Sequence, residues 1–317
     1  MGSETRPTRR PWLDSDLGLL LLLGVLWGAA FPVIRLGLLA GASPFPFAAI
    51  RWSLAALVMA VIAGASRAAW PDRRSLGLSA LLGGGLIVAG YTGLLYWGEQ
   101  TTPGGLSAVL IGTVPLASAL LAYYLLPSER FSWRGSVGIG LGFVGLVILF
   151  LPNLLEGGAG SIPGELAVVG AAIMTASGSV LLRRTMRTPS GLWTLTAQFA
   201  TGALLLSVVS VAAGDPLTLP RNEDVWLSLA YLVGISSVLG YWIYFRLLHR
   251  VGPARTNVVT YVNPLAGIAV GVLLLGESLG PFEVLGFAVI LVGMFLLQRD
   301  RLRTKPPVAA SAQAPGH

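Results

Sequence analysis

Ten runs of about twenty apolar residues follow one another along the chain, at 17–39, 45–64, 75–97, 104–126, 132–151, 162–182, 191–212, 225–245, 254–275 and 281–298. A helix needs about 20 apolar residues to cross a hydrocarbon core, so each run is long enough to span a bilayer. The intervals are short turns such as Trp70-Pro71-Asp72 and Gly214-Asp215-Pro216, and none has room for a soluble domain. Only 11% of the 317 residues carry charge, where soluble chains average about a quarter. The bilayer is therefore the solvent. Glycine and proline are frequent inside the runs, which suits membrane helices, because neighbouring helices re-satisfy the backbone groups they free. The run starting at Leu17 is too long for a signal-peptide core and reads as an uncleaved first helix.

Charge placement sets the expected topology. With the N-terminus cytoplasmic, 18 of the 21 basic residues fall in cytoplasmic segments, from Arg6, Arg9 and Arg10 to Arg299, Arg301, Arg303 and Lys305. Of the other three, Arg221 lies in an outer loop, and Arg35 and Arg51 fall inside helices. Ten crossings with both termini inside follow from the positive-inside rule. The net charge of +7 sits in short clusters between apolar runs and not on a basic stripe, so nucleic acid is not an expected partner. The chain has no cysteine, hence no disulfide framework and no thiolate metal site. No cofactor or metal is expected.

The chain also repeats itself. Val114-Pro115-Leu116 is echoed by Asn263-Pro264-Leu265, Leu126 to Glu129 by Leu275-Gly276-Glu277, Arg35 by Arg184 and Pro103 by Pro253. Gly142-Phe143-Val144-Gly145 has its echo between Gly286 and Gly293. Five helices per half is an odd number, so the halves lie upside down relative to each other. Inverted repeats of this kind build secondary transporters with a substrate site near the midplane. The expected organisation is a cytoplasmic segment 1–16, repeats at 17–151 and 162–298, and a disordered cytoplasmic tail at 304–317.

Trp27-Gly28-Ala29-Ala30-Phe31-Pro32-Val33-Ile34-Arg35, the opening Pro46 to Arg51 of the second helix, Pro115 and Glu129-Arg130 stand in order in the first half. Gly252-Pro253-Ala254, Tyr261-Val262-Asn263-Pro264 and Gly276-Glu277-Ser278 hold equivalent places in the second. This ordered set resembles the drug/metabolite transporter superfamily, specifically its ten-helix EamA-type exporters. Within that group the chain is similar to bacterial amino-acid exporters, including those for aromatic amino acids. The resemblance implies helices 1–4 and 6–9 around a central cavity, with helices 5 and 10 as outer braces. It also implies export of small metabolites across the bacterial inner membrane by alternating access. A small-molecule substrate and the bilayer are the expected partners, with a monomer as the working unit. Another metabolite or drug, moved in either direction, is the alternative.

Polar and aromatic side chains near helix midpoints are costly in hydrocarbon unless they face a cavity or a partner. The substrate-binding candidates are Trp27, Phe31, Tyr91, Thr113, Ser177, Ser237, Tyr241, Tyr261 and Asn263. A zwitterion needs polar partners for both ends and an apolar or aromatic wall for its side chain. For Asn263 an interhelical hydrogen bond competes evenly with substrate contact, and each Ser or Thr can bond back to its own helix. Tyr96, Trp97 and Trp226 read as interface anchors. Arg35, Arg51 and Glu99 are the gating or charge candidates; snorkelling toward the outer interface or structural pairing accounts for both arginines, set against attracting a carboxylate at the outer mouth or supporting a gate. Glu129 and Glu277 are expected to cap turns in matching hairpins.

The only Lys is Lys305 in the tail, so there is no Walker A lysine. No carboxylate sits at a helix midpoint, which favours facilitated diffusion or exchange, with coupling through Glu99 left open. A membrane-embedded enzyme would need paired carboxylates, a Ser–His pair or a metal cluster, and the chain has two histidines and no cysteine. A channel is the remaining rival, against which the inverted halves argue.

Overall fold

A computed structural model describes residues 11–126, 132–155, 162–185, 191–256 and 258–304. Among them, nine helices are long and apolar enough to cross a membrane. They are α1 (Asp16–Leu39), α2 (Pro44–Ala65), α3 (Arg73–Gly98), α4 (Gly104–Leu125), α5 (Trp133–Leu154), α6 (Ile162–Thr185), α7 (Leu192–Ala212), α8 (Glu223–Val251) and α10 (Pro281–Arg299). The tenth crossing, α9 (Val259–Leu275), is 17 residues long and is preceded by a helical turn at Pro253–Thr256. In lipid every backbone donor and acceptor must be satisfied within the segment, and the helix is the open-chain solution. Outward faces carry apolar side chains at helical spacing, such as Leu57 and Val61 on α2 or Leu204, Val208 and Val211 on α7. The fold is the expected all-helical one, two five-helix halves of inverted topology.

The halves interdigitate. α1 packs on α9 and α8, α2 on α7 and α8, α3 on α7 and α6, and α4 on α6 and α9. Each of these contacts becomes another of the set when the halves are exchanged, as an inverted pseudo-twofold requires. At one end of the bundle Asp16, at the start of α1, lies 3.2 Å from Arg250 near the end of α8. At that same end Trp70 stacks on Trp193 with centroids 4.0 Å apart, and the Trp193 Nε1 donates to the Ala68 carbonyl at 3.1 Å. Asp72 caps the start of α3 by accepting from the Ser75 N–H at 2.9 Å, and hydrogen bonds from Ser75 hold its carboxyl below the usual carboxylate range. Both ends of the ten-helix path, α1 at its start and α10 at its finish, lie on this side.

Two features were not legible in the sequence. Ser79–Gly90 in α3 and Tyr231–Leu239 in α8 are wound as π-helix, with the Tyr91 N–H reaching the Leu86 carbonyl and the Gly240 N–H reaching that of Ile235. Both stretches sit in the third helix of their half. π-Helical winding is rare and concentrates at functional sites. α1 is broken at Ala29 and α4 at Gly112-Thr113, each just before a proline.

α5 and α10 pack chiefly on each other, apart from the other eight helices. Their backbones touch where glycines face: a Cβ on Gly293 would lie 2.5 Å from the Gly138 carbonyl oxygen and 2.8 Å from the Gly142 nitrogen. Those are backbone atoms and cannot step aside. Gly293→Val should therefore lower the thermal unfolding midpoint in detergent by several degrees, a cost of about 1–3 kcal/mol from overpacking. Gly140→Val, on the same helix as Gly138 but with nothing within 4 Å of its Cβ position, should leave the midpoint unchanged.

Candidate substrate site and the clamp at one end

At the end of the bundle away from the chain termini, the two halves are joined by one carboxylate. Gly276 ends α9 in the left-handed conformation (φ +65°), which turns the chain back so that the Glu277 N–H bonds to the Gly271 carbonyl at 3.2 Å. The Glu277 side chain then reaches α4 of the other half. It accepts from the Gly104 N–H at 2.7 Å and from the Gly105 N–H at 2.8 Å, one oxygen to each. These are orphan donors at a helix N-terminus, where the helix dipole also favours negative charge. Glu277 does cap, as the sequence suggests, but it caps a helix of the opposite repeat. Its repeat counterpart Glu129 lies outside the described residues.

Arg35 adds to the same clamp. Its Nε lies 4.0 Å from a Glu277 oxygen, and its Nη1 donates to the backbone carbonyl of Glu99. Arg35 thus points inward to a partner, which is the structural pairing the sequence set beside snorkelling. The Glu99 side chain is fully buried, and neither carboxylate oxygen completes a hydrogen bond, although the Ser107 hydroxyl lies beside it.

Deeper in the bundle, Arg51 on α2 is buried at 7% exposure, so it does not snorkel either. Its Nη1 donates to the Tyr96 hydroxyl on α3 at 2.9 Å, and its Nη2 lies 3.4 Å from the hydroxyls of both Ser236 and Ser237 on α8. The π-helical winding turns successive side chains through a smaller angle, which helps two adjacent serines face one guanidinium. The guanidinium stacks over the Trp52 ring at 4.6 Å, and Trp52 in turn donates to Thr92 at 3.0 Å. Tyr96, expected as an interface anchor, is instead fully buried at this centre, whereas Trp97 and Trp226 are exposed.

The substrate-binding candidates divide into two groups. Ser237 faces Arg51 directly, Tyr91 adjoins the Thr92 that accepts from Trp52, and Tyr241 meets Phe199, which packs on Trp52. Trp27 joins them: its Nε1 donates to the Ser236 carbonyl at 3.0 Å and its ring meets those of Tyr241 and Tyr244 at 5.6 and 5.4 Å. Phe31 is buried in the main hydrophobic core, which both halves build. The others are engaged elsewhere or stand apart. Thr113 bonds back to the Leu110 carbonyl at 2.6 Å, the Tyr261 hydroxyl donates to Met294 of α10 at 3.1 Å, and Ser177 is half-buried in α6 with no hydrogen bond. Asn263, in the amide orientation that satisfies its neighbours, donates to Gly24 on α1 at 3.2 Å and to Val259 at 3.0 Å. That is the interhelical bond the sequence already offered as an alternative.

The EamA-like transporter family matches residues 16–151 and again 162–299, most of the chain. The chain belongs to the EamA-like transporter family. It is 28% identical to the "Uncharacterized inner membrane transporter YedA" of Escherichia coli K12, covering 93% of this chain and 95% of that protein. It is likewise 28% identical to the "Probable terminal-alkyne amino-acid exporter" of Streptantibioticus cattleyicolor, over 92% of this chain and 95% of the relative. Identity to the "Probable amino-acid metabolite efflux pump" of Salmonella typhimurium is 26%, with 88% and 93% covered. A solved crystal structure aligns with a TM-score of 0.62 over 92% of this chain and 99% of its own, at 20% identity, a likeness of fold.

This EamA-family chain has a pocket of about 470 Å³ toward the end that holds the termini, between α2, α7 and α8. Ile62, Leu192, Trp242, Phe245, Arg246 and His249 are in its wall. Phe245 lies one helical turn from Tyr241, centroids 6.4 Å apart, and Tyr241 one turn from Ser237, so one face of α8 leads from the pocket toward Arg51.

The clamp makes a measurable demand on stability and opening. Glu277→Ala removes two charge-assisted bonds and should cost about 2 kcal/mol, read as a lower thermal midpoint in detergent, with Glu277→Gln recovering part of it. Because Ser107 is fully buried behind the clamp, a cysteine placed there should react slowly with a maleimide, and markedly faster when Glu277→Ala is added.

Proposed function

We propose that this chain is a carrier that exports small metabolites, chiefly amino acids and aromatic ones among them, by alternating access across the bacterial inner membrane. The observation that carries this reading is that side chains of opposite halves meet across each end of the bundle. Glu277 of one half with Gly104, Gly105 and Arg35 of the other forms a seal at one end, and at the other Asp16 meets Arg250 and Trp70 stacks on Trp193, beside the pocket between α2, α7 and α8. A two-state carrier needs such a seal, made of contacts that can exchange, and a fixed pore does not. Amino-acid export is what two relatives' names say of those proteins, and the Trp27, Tyr241, Tyr244 and Phe245 rings supply an aromatic wall here. The clustering of basic residues at the end holding the termini supports a cytoplasmic N- and C-terminus, so the Glu277 end faces outward.

Substrate counterflow in liposomes, at equal pH and without a membrane potential, tests the carrier reading: labelled amino acid should enter transiently above its equilibrium level when unlabelled amino acid is preloaded. Absence of overshoot for every amino acid in a full panel would reject amino-acid carriage. Glu99→Gln should keep counterflow within about twofold, because the native carboxyl is buried without bonds that the amide would lose. Orientation is read with single cysteines, since the chain has none of its own. An impermeant maleimide on intact cells should label Thr218→Cys in the α7–α8 hairpin and spare Ala69→Cys, and the reverse pattern would invert the topology.

A further inference from the structure

Arg51 is the only arginine among the described residues that is buried, and its charge is poorly answered. A guanidinium carries five N–H donors in a planar fork and no acceptor. Here one good bond goes to Tyr96, two contacts to Ser236 and Ser237 are long at 3.4 Å, and Nε has no partner. Among the described residues no carboxylate lies within 4 Å of it; the ion pairs formed are Arg35 with Glu277 and Arg250 with Asp16. The buried Glu99 carboxyl, three residues beyond Tyr96 of α3, makes no hydrogen bond to Arg51. Stacking on Trp52 offsets part of the desolvation cost. A buried cation left without an anion is costly, and carboxylates match the guanidinium fork bidentately.

The surroundings narrow the ligand. Tyr91, Tyr231 and Tyr241, on α3 and α8, keep part of their surface accessible. The Ser236 and Ser237 hydroxyls can accept from an ammonium group as well as face the guanidinium. Trp27, Tyr241, Tyr244 and Phe245 form an aromatic wall leading back to the pocket. One buried cation balances one negative charge; a phosphate dianion would leave an excess.

We infer that Arg51 binds the carboxylate of the transported molecule, so that the substrate is a monocarboxylate, with its side chain lying along the aromatic face of α8. This rests on the carrier reading above and names the group that selects its substrate.

The full-length protein in detergent is titrated with each L-amino acid, following its thermal midpoint and its tryptophan fluorescence, which Trp52 beneath the guanidinium should report. The tightest binder is then compared with its own amide, its decarboxylated amine and phenyl phosphate. On the unaltered protein the amide, the amine and the phosphate should each bind about 10- to 100-fold more weakly than the acid, the range expected for charge-assisted hydrogen bonds. Arg51→Lys, which keeps the charge and loses the fork, should weaken the acid about tenfold, and Arg51→Gln should abolish its binding. Equal affinity for acid and amide, unchanged binding in a folded Arg51→Gln, or no binding by any amino acid would each overturn the assignment. The acid–amide comparison decides even where the variants fail to fold. Counterflow separates this from the carrier reading. Acid-selective binding without counterflow removes the carrier and leaves the site; counterflow that treats acid and amide alike removes the site and leaves the carrier.

Discussion

A hydrocarbon core offers no hydrogen-bond partners, and nearly everything in this molecule answers to that condition. It forces the backbone into helices, turns the apolar faces of α2 and α7 outward, and makes any polar group in the interior expensive unless it has a partner. The hydrophobic effect does not pull helix to helix inside lipid, so packing depends on how closely backbones approach. The α5–α10 contact shows the consequence, with Gly138, Gly145, Gly286 and Gly293 bringing carbonyl oxygens to the facing helix.

The same condition explains why the halves join where they do. A helix broken or begun inside a membrane exposes orphan N–H groups, and those of Gly104 and Gly105 are met by a carboxylate from the other repeat. A helix cap supplied by a distant residue becomes a contact between the two repeats. Glycine at 105 and at 271 makes room for the Glu277 side chain, since a Cβ at either position would crowd its Oε2. Arg35 then completes a small charge cluster whose members come from α1, the end of α3, the start of α4 and the end of α9. Opening this end requires water or a rearranged partner to take over each of these groups.

Arg51 is a different kind of polar element. The clamp groups satisfy one another, whereas Arg51 gathers Tyr96, Ser236, Ser237 and Trp52 from three helices and still retains an unbonded Nε. The π-helical stretch of α8 presents Ser236 and Ser237 to it, and Tyr96, its partner on α3, lies beyond the other π-helical stretch, which ends at Gly90. A polar centre at the junction of two repeats, beside irregular backbone, is where midplane sites are built in transporters of inverted symmetry.

The sequence by itself determined the all-helical membrane fold, the number of apolar runs, and the odd repeat unit and so the inversion. These depend on apolar length, charge placement and spacing along the chain, which are properties of one dimension. The place of α5 and α10 as outer braces came from the family resemblance, and their glycine-packed contact from the structure. The sequence also marked Arg35 and Arg51 as charges inside helices, Glu99 as a charge at a helix end and Glu277 as a turn cap. What it did not reveal was where each one points. Snorkelling and inward pairing use the same residue type at the same depth, and only the neighbour across the helix interface decides between them. Tyr96 illustrates this: at a helix end it reads as an anchor at the lipid surface, and the rotation of α3 against α2 makes it the partner of Arg51. Asn263 and Tyr261 went the other way, their polar atoms taken up by α1 and α10. The tertiary structure alone settled these cases, because a side chain's electrostatic partner is fixed by how two helices are turned toward each other, and that angle is not written in the spacing of either one.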